Sequence, residues 1–461
     1  MKRRVFGLTA ASSVAIAAVM RPAVARAAAD PSLLTTSLTP AGAERAGNAD
    51  GSIPAWTGGL VGQPTSPTEP TRVKVFADEQ PLYTVDANNI AQYEALLSEF
   101  TKTQITKFGC SLKVYPTHRT AAWPQYVIDN MAKNVTRAQL DPRGGRFGFV
   151  NAYGGAPFPI PDATDKQVAG AQIIWNHLTC WNGYSNRNTF SPGCVVINGE
   201  VILVSGARSA SIYPYYDPNG SVETFDGYLS KGHYWAIAPS SVDGQETLVW
   251  HSTNVNVRPD IVWTLLNGQG RVRKAPDEAY DDPNPDSNGI SNLDESTGFF
   301  GNPSQYDWTL VGKQELLIPY NINAMLYTTV QALLKPNFID PDVLRWEKHR
   351  VWVVEATLHP GIHNVNAKRR YYFDEDTWSI VLGEGYDAQG NMVKGYANYL
   401  GCIPSYPATS LINTATYNLQ TGDYVFNGCV SWAPDYPSLQ YTVDQPESLF
   451  EPQQMSANAS F

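Results

Sequence analysis

Residues Arg350–Asp387 read RVWVVEATLHPGIHNVNAKRRYYFDEDTWSIVLGEGYD. The stretch holds three runs rich in β-branched and aromatic residues, RVWVVEATL, RRYYFDE and WSIVLGEGYD, with turn-forming residues between them. In the first run every second residue from Trp352 to Leu358 is apolar, which is the period of a strand with one buried face. Because short turns join neighbouring strands in antiparallel order, the stretch predicts an antiparallel meander.

The same pattern extends over most of the chain after Cys194. VVINGEVILVSG predicts a hairpin with its turn at Asn198-Gly199, and further strand-like runs continue from HYWAIAP at His233 to DYVFNGCVSW at Asp423. Strands and helices do not alternate, and no fixed-period repeat occurs. The sequence therefore predicts a mainly β protein with some α (α+β), built on a large, curved antiparallel sheet.

Three helices are predicted ahead of this sheet. Apolar residues at helical spacing place them at Asp86–Phe100, Trp123–Asn134 and Asp162–Leu178. Residues 30–85 are rich in Pro, Gly, Thr and Ala, which is typical of an extended segment lying over a folded body. The concave side of a curved sheet needs a cover, and the helices can supply it. Residues 86–461 are accordingly predicted to form one domain.

Residues 1–29 predict a signal peptide. Lys2, Arg3 and Arg4 form a basic start, and the apolar run Gly7–Met20 is too short to span a bilayer. The Arg3-Arg4 pair also resembles a twin-arginine export motif, so twin-arginine and general secretory export both stay open. Either route predicts a periplasmic protein, with association with the outer membrane as a further expectation.

The charge balance limits the partners. The chain carries a net charge of −10, and without the five basic residues of the signal peptide the mature chain carries about −15. Such an excess of acidic residues disfavours nucleic acids and anionic membrane surfaces as electrostatic partners. No nucleic-acid binding is predicted.

Five cysteines suggest disulfides in an oxidising compartment. Proximity in the sequence predicts one bridge between Cys180 and Cys194 and another between Cys402 and Cys429. Cys110 would then be a free thiol. Other pairings remain open, because the order of cysteines along a chain does not determine how they pair.

A cavity in the sheet is the predicted functional site. If the helices fill the concave side only loosely, apolar side chains there surround a space for a ligand. The predicted ligand-binding residues are Ile261, Trp263, Leu265, Trp352, Val354, Ala356, Leu358, Trp378, Ile380 and Leu382. The alternative is that the same side chains form an ordinary filled core.

Metal-binding and catalytic patterns are weak. In NPDSNGISNLDE, Asp286, Asn288 and Glu295 have the spacing of calcium-loop ligands, but a solvated loop between strands explains the same residues. HPGIH contains Pro360 and Gly361, which predict a turn and not a helical pair of histidine ligands. Hydrolase, phosphate-binding and zinc motifs are not found in the sequence, so we predict neither a cofactor nor enzymatic activity.

Four blocks of sequence carry a family resemblance. They are LTPAGAERAGNADGSIPAWTGGL (Leu38–Leu60), GQGRVRKAPDEAYDDPNP (Gly268–Pro285), YDWTLVGKQELLIPYN (Tyr306–Asn321) and the opening strands from Arg350. Together they resemble the domain-of-unknown-function family 1329 of exported proteobacterial proteins. The resemblance implies an outer-membrane-lipoprotein-sorting-like fold similar to the carriers LolA and LolB, an open half-barrel sheet closed by a helical lid. It supplies no catalytic residues.

The resemblance and the predicted cavity together give a functional expectation. The leading hypothesis is a periplasmic carrier or chaperone for a lipid-like or other apolar ligand. The resemblance further implies a resistance–nodulation–division type transporter and an outer-membrane protein as partners. One alternative is a hydrolase-type enzyme on apolar substrates, which needs polar groups converging inside the cavity. The other is a structural adaptor in an envelope complex, which needs a filled core and an exposed apolar patch.

Overall fold

The computed structural model describes residues 29–62, 73–266, 270–275, 282–428, 439–441 and 444–455. The predicted signal peptide lies outside these residues, apart from Ala29. Within the described part of the chain, no helix has the length and apolar character needed to cross a membrane.

The described residues form four helices and twenty strands. The helices are α1 (Glu99–Phe108), α2 (Gln125–Arg137), α3 (Lys166–Leu178) and α4 (Val330–Leu333). The first ten strands are β1 (Tyr83–Val85), β2 (Leu112–Val114), β3 (Gln139–Leu140), β4 (Phe149–Val150), β5 (Ser185–Ile197), β6 (Glu200–Ile212), β7 (Tyr228–Ala238), β8 (Glu246–Ser252), β9 (Ile261–Leu265) and β10 (Val272–Lys274). The others are β11 (Tyr306–Pro319), β12 (Leu334–Lys335), β13 (Phe338–Ile339), β14 (Trp346–Leu358), β15 (Lys368–Asp374), β16 (Ile380–Tyr386), β17 (Met392–Ile403), β18 (Ala408–Asn418), β19 (Tyr424–Gly428) and β20 (Leu439–Tyr441).

Sixteen of these strands form one open sheet. Its order is β1-β2-β14-β15-β16-β17-β18-β19-β5-β6-β7-β8-β9-β10, with β11 paired to β14 and β20 paired to β5. Two antiparallel meanders, β14–β19 and β5–β10, meet where β19 pairs with β5. Within the described ranges one parallel contact occurs, between Trp346 and Val114. Among the described residues no pairing joins β10 to the opposite end, which confirms the predicted open, largely antiparallel sheet.

The meander β14–β19 is buried on both faces. On one face Trp352, Val354 and Phe373 pack with α3 in what we call the α3-side core, a cluster of 30 buried residues. On the other face Val351 and Val353 pack with α1 and β2 in the α1-side core, a cluster of 34 buried residues. The period-two pattern predicted one buried face, but both faces are buried here, because α1 and β2 cover Val351 and Val353.

The first predicted helix is misplaced. Residues Ile90–Gln92 and Glu94–Leu96 form two short 3-10 turns, and α1 begins only at Glu99. Ser98 accepts a hydrogen bond from the Thr101 amide at 3.0 Å and caps the helix there. The predictions of α2 and α3 are confirmed, with starts a few residues later than expected.

Helix α3 and the N-terminal segment cover the α3-side core. The Trp378 indole stacks near Trp352, with ring centroids 6.1 Å apart, and its Nε1 donates to the Ala41 carbonyl at 2.9 Å. Gly170 of α3 touches β11 so closely that a Cβ there would lie 2.6 Å from the Trp308 carbonyl carbon. The space that an apolar ligand would need at this face is therefore occupied by protein.

The predicted disulfide between Cys180 and Cys194 is wrong. Both cysteines are free, because Ser185–Ile197 is a continuous strand. The nine residues from Ser185 to Cys194 span about 30 Å in a strand, and five residues can reach back only about 17 Å. The predicted bridge between Cys402 and Cys429 falls outside the described residues, since Cys429 is not among them.

Candidate ligand-binding site

A cavity of about 300 Å³ lies between the two meanders. Strands β5–β8 line one wall, and the end of α3 together with residues of β16–β18 lines the other. Since β16 and β8 are well separated in the order of the sheet, the sheet must curve for both to line one cavity. Below, this space is called the inter-meander cavity.

The wall formed by β5, β6 and β7 is polar. Asn186 and Asn188 of β5 pair with Ser211 and Ser209 of β6, and Ser211 pairs in turn with Gly232 of β7. Alternate residues of a strand point to one face, so these side chains face the cavity together. The wall therefore carries closely spaced, uncharged hydrogen-bonding groups.

Apolar and aromatic side chains form a second part of the lining. They are Leu178, Tyr213, Leu229, Tyr234, Val249, Phe300, Ile380, Leu411, Leu439 and Tyr441. The lining thus combines a polar wall with apolar side chains, which differs from the wholly apolar cavity expected from the sequence. The difference arises because the alternation of β5–β7 presents small polar residues to the cavity and directs Ala210 and Ile212 to a separate apolar cluster.

The inter-meander cavity has no fixed charge in its described lining. None of its described lining residues is Asp, Glu, Lys or Arg, although these types make up 16% of the chain. An ionised ligand group would find no counter-charge there, and an unpaired charge is costly away from water. The lining favours an uncharged ligand with both polar and apolar parts.

His177 is a neutral lining residue. Its Nε2–H donates to the Phe299 carbonyl at 3.3 Å, and its Nδ1 accepts from the Ile380 amide at 3.1 Å. Burial lowers the pKa of His177 to about 4, so the ring is neutral near pH 7. With both nitrogens engaged, His177 positions β16 and has no free nitrogen to act as a base.

His251 and Cys180 are the remaining candidates for chemistry in the lining. His251 Nδ1 donates to Asp260 Oδ2 at 3.0 Å, an orientation found in general bases. No serine or threonine hydroxyl among the described residues is hydrogen-bonded to His251. Burial raises the pKa of the Cys180 thiol, which keeps it protonated and unreactive. The arrangement favours binding over nucleophilic catalysis.

The ten predicted ligand-binding residues do not lie together but are divided among the inter-meander cavity and three apolar clusters, with Ile261 in none of these. Ile380 lines the inter-meander cavity. Trp352, Val354, Ala356, Trp378 and Ile380 belong to the α3-side core, and Leu358 packs against it. Leu382 lies in the α1-side core. Leu265 lies in a third, smaller cluster that Trp263 packs against, and Ile261 of β9 is half-buried.

An irregularity in the sheet explains why Ile380 and Leu382 separate. Phe373 pairs with Ile380, but the next residue back, Tyr372, pairs with Leu382, so Val381 is an extra residue. Such a bulge reverses the faces of the residues on its two sides. A sequence pattern of period two cannot reveal this insertion.

The weak calcium-loop candidate is not supported for Glu295. Its carboxylate accepts hydrogen bonds from the Asn366 amide group and the Tyr396 hydroxyl, both at 2.8 Å, and from the Asn292 amide at 2.9 Å. Glu295 is fully buried and serves as a capping residue for its own 3-10 turn. Asn288 lies in the turn at a positive φ of 50°, and the side chain of Asp286 lies outside the described residues.

Sequence reasoning missed the polar wall, although a signal for it exists. Small polar residues alternate in YSNRNTFS, GARSASIY and YLSKGHYW, and each of these runs supplies lining residues. Polar alternation usually marks a solvent-facing surface. It could have indicated a cavity only if the pairing of the three strands had been known.

Together these features define a class of protein: an α+β chain whose open antiparallel sheet curves around an uncharged, partly polar cavity. The model of the family described as protein of unknown function (DUF1329) matches residues 84–456. The chain belongs to this family. It is 35% identical over 408 residues to the uncharacterized protein PA3922 of Pseudomonas aeruginosa, an alignment that covers 86% of each chain.

Similar solved structures share less sequence identity with this chain than PA3922 does. A DUF1329 family protein from Desulfovibrio piger and a putative outer membrane lipoprotein-sorting protein domain from Vibrio parahaemolyticus each show a TM-score of 0.43 at 14% identity, covering 63% of this chain and 99% of theirs. The LolA superfamily protein NE2245 from Nitrosomonas europaea shows a TM-score of 0.33 at 11% identity, covering 61% of this chain and 97% of its own.

Proposed function

We propose that this protein is a periplasmic carrier or chaperone for a lipid-like molecule, held in the inter-meander cavity. The observation that supports the proposal is the cavity itself, about 300 Å³ in volume and without a charged residue in its described lining. This volume is at the small end of typical ligand sites. It suits part of one lipid-like molecule, with the remainder extending from the cavity.

The chemistry of the lining residues also favours one class of ligand. The polar wall of Asn186, Asn188, Ser209 and Ser211 can hydrogen-bond hydroxyl, ester or amide groups. Leu229, Val249 and the other apolar lining residues can contact a hydrocarbon chain. The ligand class that fits is therefore an amphipathic molecule with an uncharged polar group, and not a fatty-acid or phospholipid anion.

The periplasmic location and the partners are part of this proposal. The signal-peptide pattern of residues 1–29 supports export. A carrier that releases its ligand at a membrane needs a donor and an acceptor there. We propose an envelope transporter of the resistance–nodulation–division type and an outer-membrane protein for these roles, on the family resemblance described above.

Native mass spectrometry of protein recovered from the periplasmic fraction tests both location and cargo. A retained molecule of lipid-like mass is expected. Monopalmitoylglycerol, added as a probe, should raise the melting temperature of the ligand-free protein more than palmitate does at pH 8. A ligand at a hundred times its dissociation constant stabilises the fold by about 2.7 kcal/mol.

A pair of valine substitutions provides the matched control. Val249→Glu places a carboxylate in the cavity wall and should abolish the stabilisation by monopalmitoylglycerol. Val365→Glu makes the same change at a residue that is 57% exposed and should leave it intact. If neither probe stabilises the wild-type protein and nothing is retained, the carrier proposal fails in favour of a structural adaptor. Conversion of the probe to free acid would favour a hydrolase.

A further inference from the structure

A second group of ionisable side chains is buried away from the inter-meander cavity. His349 lies on β14, Asp374 ends the neighbouring β15, and Asp376 lies in the turn that follows. Their exposed fractions are 1%, 0% and 3%. None of the three lines the inter-meander cavity, and the carrier proposal makes no use of them.

Two hydrogen-bond acceptors face each other in this group. His349 Nε2–H donates to Glu347 Oε2 at 3.1 Å, which leaves the Nδ1 lone pair directed at Asp374 Oδ1, 3.9 Å away. The other oxygen, Asp374 Oδ2, accepts from the Thr377 amide at 3.0 Å and the Thr377 hydroxyl at 2.7 Å. Asp374 Oδ1 has no hydrogen-bond partner among the described residues. A buried acceptor without a partner is costly, and a cation bound at this oxygen would remove that cost.

The spacing of the three side chains matches ligands of one metal ion. Ligand atoms from His349, Asp374 and Asp376 all lie within 4.8 Å of one another. Zinc binds imidazole nitrogen and carboxylate oxygen at about 2.0–2.2 Å, so two of its ligands lie about 3–4 Å apart. A proton shared between His349 and Asp374 would instead bring the two atoms to about 2.7–2.9 Å.

The charges around the group are unbalanced. The buried carboxylates of Asp376, Glu375 and Glu347 each pair with one cation, Arg119, Lys313 and Arg345 respectively, whereas no Lys or Arg among the described residues pairs with Asp374. Arg345 also pairs with the half-buried Glu79, so the carboxylates outnumber these cations. A bound cation would compensate the excess.

We propose that His349 Nδ1, Asp374 Oδ1 and a carboxylate oxygen of Asp376 bind a divalent transition-metal ion. One imidazole and two carboxylates are a donor set suited to zinc or manganese. Glu347 orients the histidine ligand as carboxylates do behind metal-bound histidines. Arg119 holds both oxygens of Asp376, at 2.6 and 2.9 Å, and also donates to the Glu44 carbonyl at 2.8 Å. The ion would thus link the N-terminal segment to the β15–β16 turn.

Metal content and thermal stability test the site together. Purified protein should contain about one equivalent of zinc or manganese per chain by elemental analysis. Protein unfolded and refolded with a chelator should lose the ion, and addition of zinc or manganese should raise its melting temperature by several degrees.

The variant Asp374→Asn distinguishes metal binding by Asp374 from a purely structural role of its side chain. The amide oxygen can still accept from Thr377, and the new NH₂ can donate to His349 Nδ1 in place of the metal. We expect this variant to fold, to contain no metal, and to melt higher than the metal-free wild type but without any response to zinc or manganese.

Asp307→Asn is the control: Asp307 accepts from His359 at 2.9 Å in a partly exposed pair, and no third metal-ligating side chain joins this pair in the part of the chain that the structure describes. It should keep the metal. The proposal is overturned if wild-type protein holds no metal and does not respond to either ion, or if Asp374→Asn binds as much metal as wild type does.

Discussion

His177 shows how burial sets the charge of a single residue in this protein. It is 6% exposed, at the end of α3 between the Phe299 carbonyl and the Ile380 amide. These two contacts fix the neutral tautomer, and burial lowers the pKa of His177 from 6.5 to about 4. The ring therefore resists protonation until well below neutral pH.

The stability of the fold should fall between pH 6.5 and pH 4 because of His177. In that window the unfolded chain binds a proton at this residue and the folded chain does not, so the free energy of unfolding decreases as the pH falls. Above pH 6.5 and below pH 4 the contribution of His177 is constant. The difference between the two pKa values corresponds to about 3 kcal/mol.

Guanidinium unfolding at pH 7 and pH 4.5 measures this effect. His177→Gln should show a smaller loss of stability between the two pH values than the wild type. His359→Gln, which alters a partly exposed histidine paired with Asp307, should not reduce the loss. Equal pH dependence in wild type and His177→Gln would contradict the assignment of a neutral, buried His177.

At the scale of elements, the contact between α3 and β11 depends on a glycine. Glycine usually weakens a helix by about 1 kcal/mol relative to alanine. At Gly170, however, a Cβ would lie 2.6 Å from both the carbonyl carbon and the oxygen of Trp308. These are backbone atoms of β11, which is paired with β14 along its whole length and cannot move aside cheaply. At position 170 the close contact therefore favours glycine over alanine, although alanine is usually the better residue in a helix.

Gly170→Ala should destabilise the protein, by about 1–3 kcal/mol as in other overpacked sites. The helix α3 would have to move away from β11, and packing in the α3-side core would loosen. Gln167→Ala on the exposed side of the same helix should change stability by less than about 0.5 kcal/mol. Unfolding by guanidinium measures both, and a stabilised Gly170→Ala would show that the two elements are not in such close contact.

The same elements show what the sequence could and could not reveal. The hairpin at Asn198-Gly199 was predictable, because both residues adopt the positive φ values, 51° and 83°, that a tight turn requires. Helices α2 and α3 were predictable from their spacing. The start of α1 was not, since residues before Ser98 have the same apolar spacing but form 3-10 turns.

The candidate site was harder to predict than the elements. Which residues line a cavity depends on which strands face each other, and this depends on long-range pairing such as that of β19 with β5. The bulge at Val381 moved Leu382 to the opposite face from Ile380. The tryptophans of the opening stretch were assigned to one face correctly, but helix α3 and the N-terminal segment fill that face.

At the scale of the whole molecule, the two meanders differ in how deeply they are buried. Nearly every residue of β16 and β17 is buried, whereas β9 and β10 contain one buried residue between them. The α1-side and α3-side cores sandwich the meander β14–β19. Among the described residues, the strands of the meander β5–β10 contribute only Cys194, Val196 and Leu229 to the buried residues of these cores, and others of their buried apolar residues lie in smaller clusters. The inter-meander cavity lies where this packing changes.

The rates of backbone amide hydrogen exchange should therefore differ between the two meanders of the sheet. Backbone amides of β14–β17 should exchange only with global unfolding, while those of β8–β10 should exchange faster through local opening. Mass spectrometry of peptides from the two regions measures this, and bound ligand should slow exchange mainly in β5–β8. Uniform protection across both meanders would contradict the difference in burial.

The pairing of β19 with β5 has a consequence for the newly made chain. The pairing joins Val425 to Val195. The ribosome therefore adds more than two hundred residues after β5 before β19 is available to pair with it. Until then the amide and carbonyl groups along that side of β5 are an unprotected edge, open to pairing with another chain. Contacts so distant in sequence also form slowly. Assembly of the sheet is thus tied to completion of synthesis, and the meander β5–β10 is open to aggregation until β19 has been made.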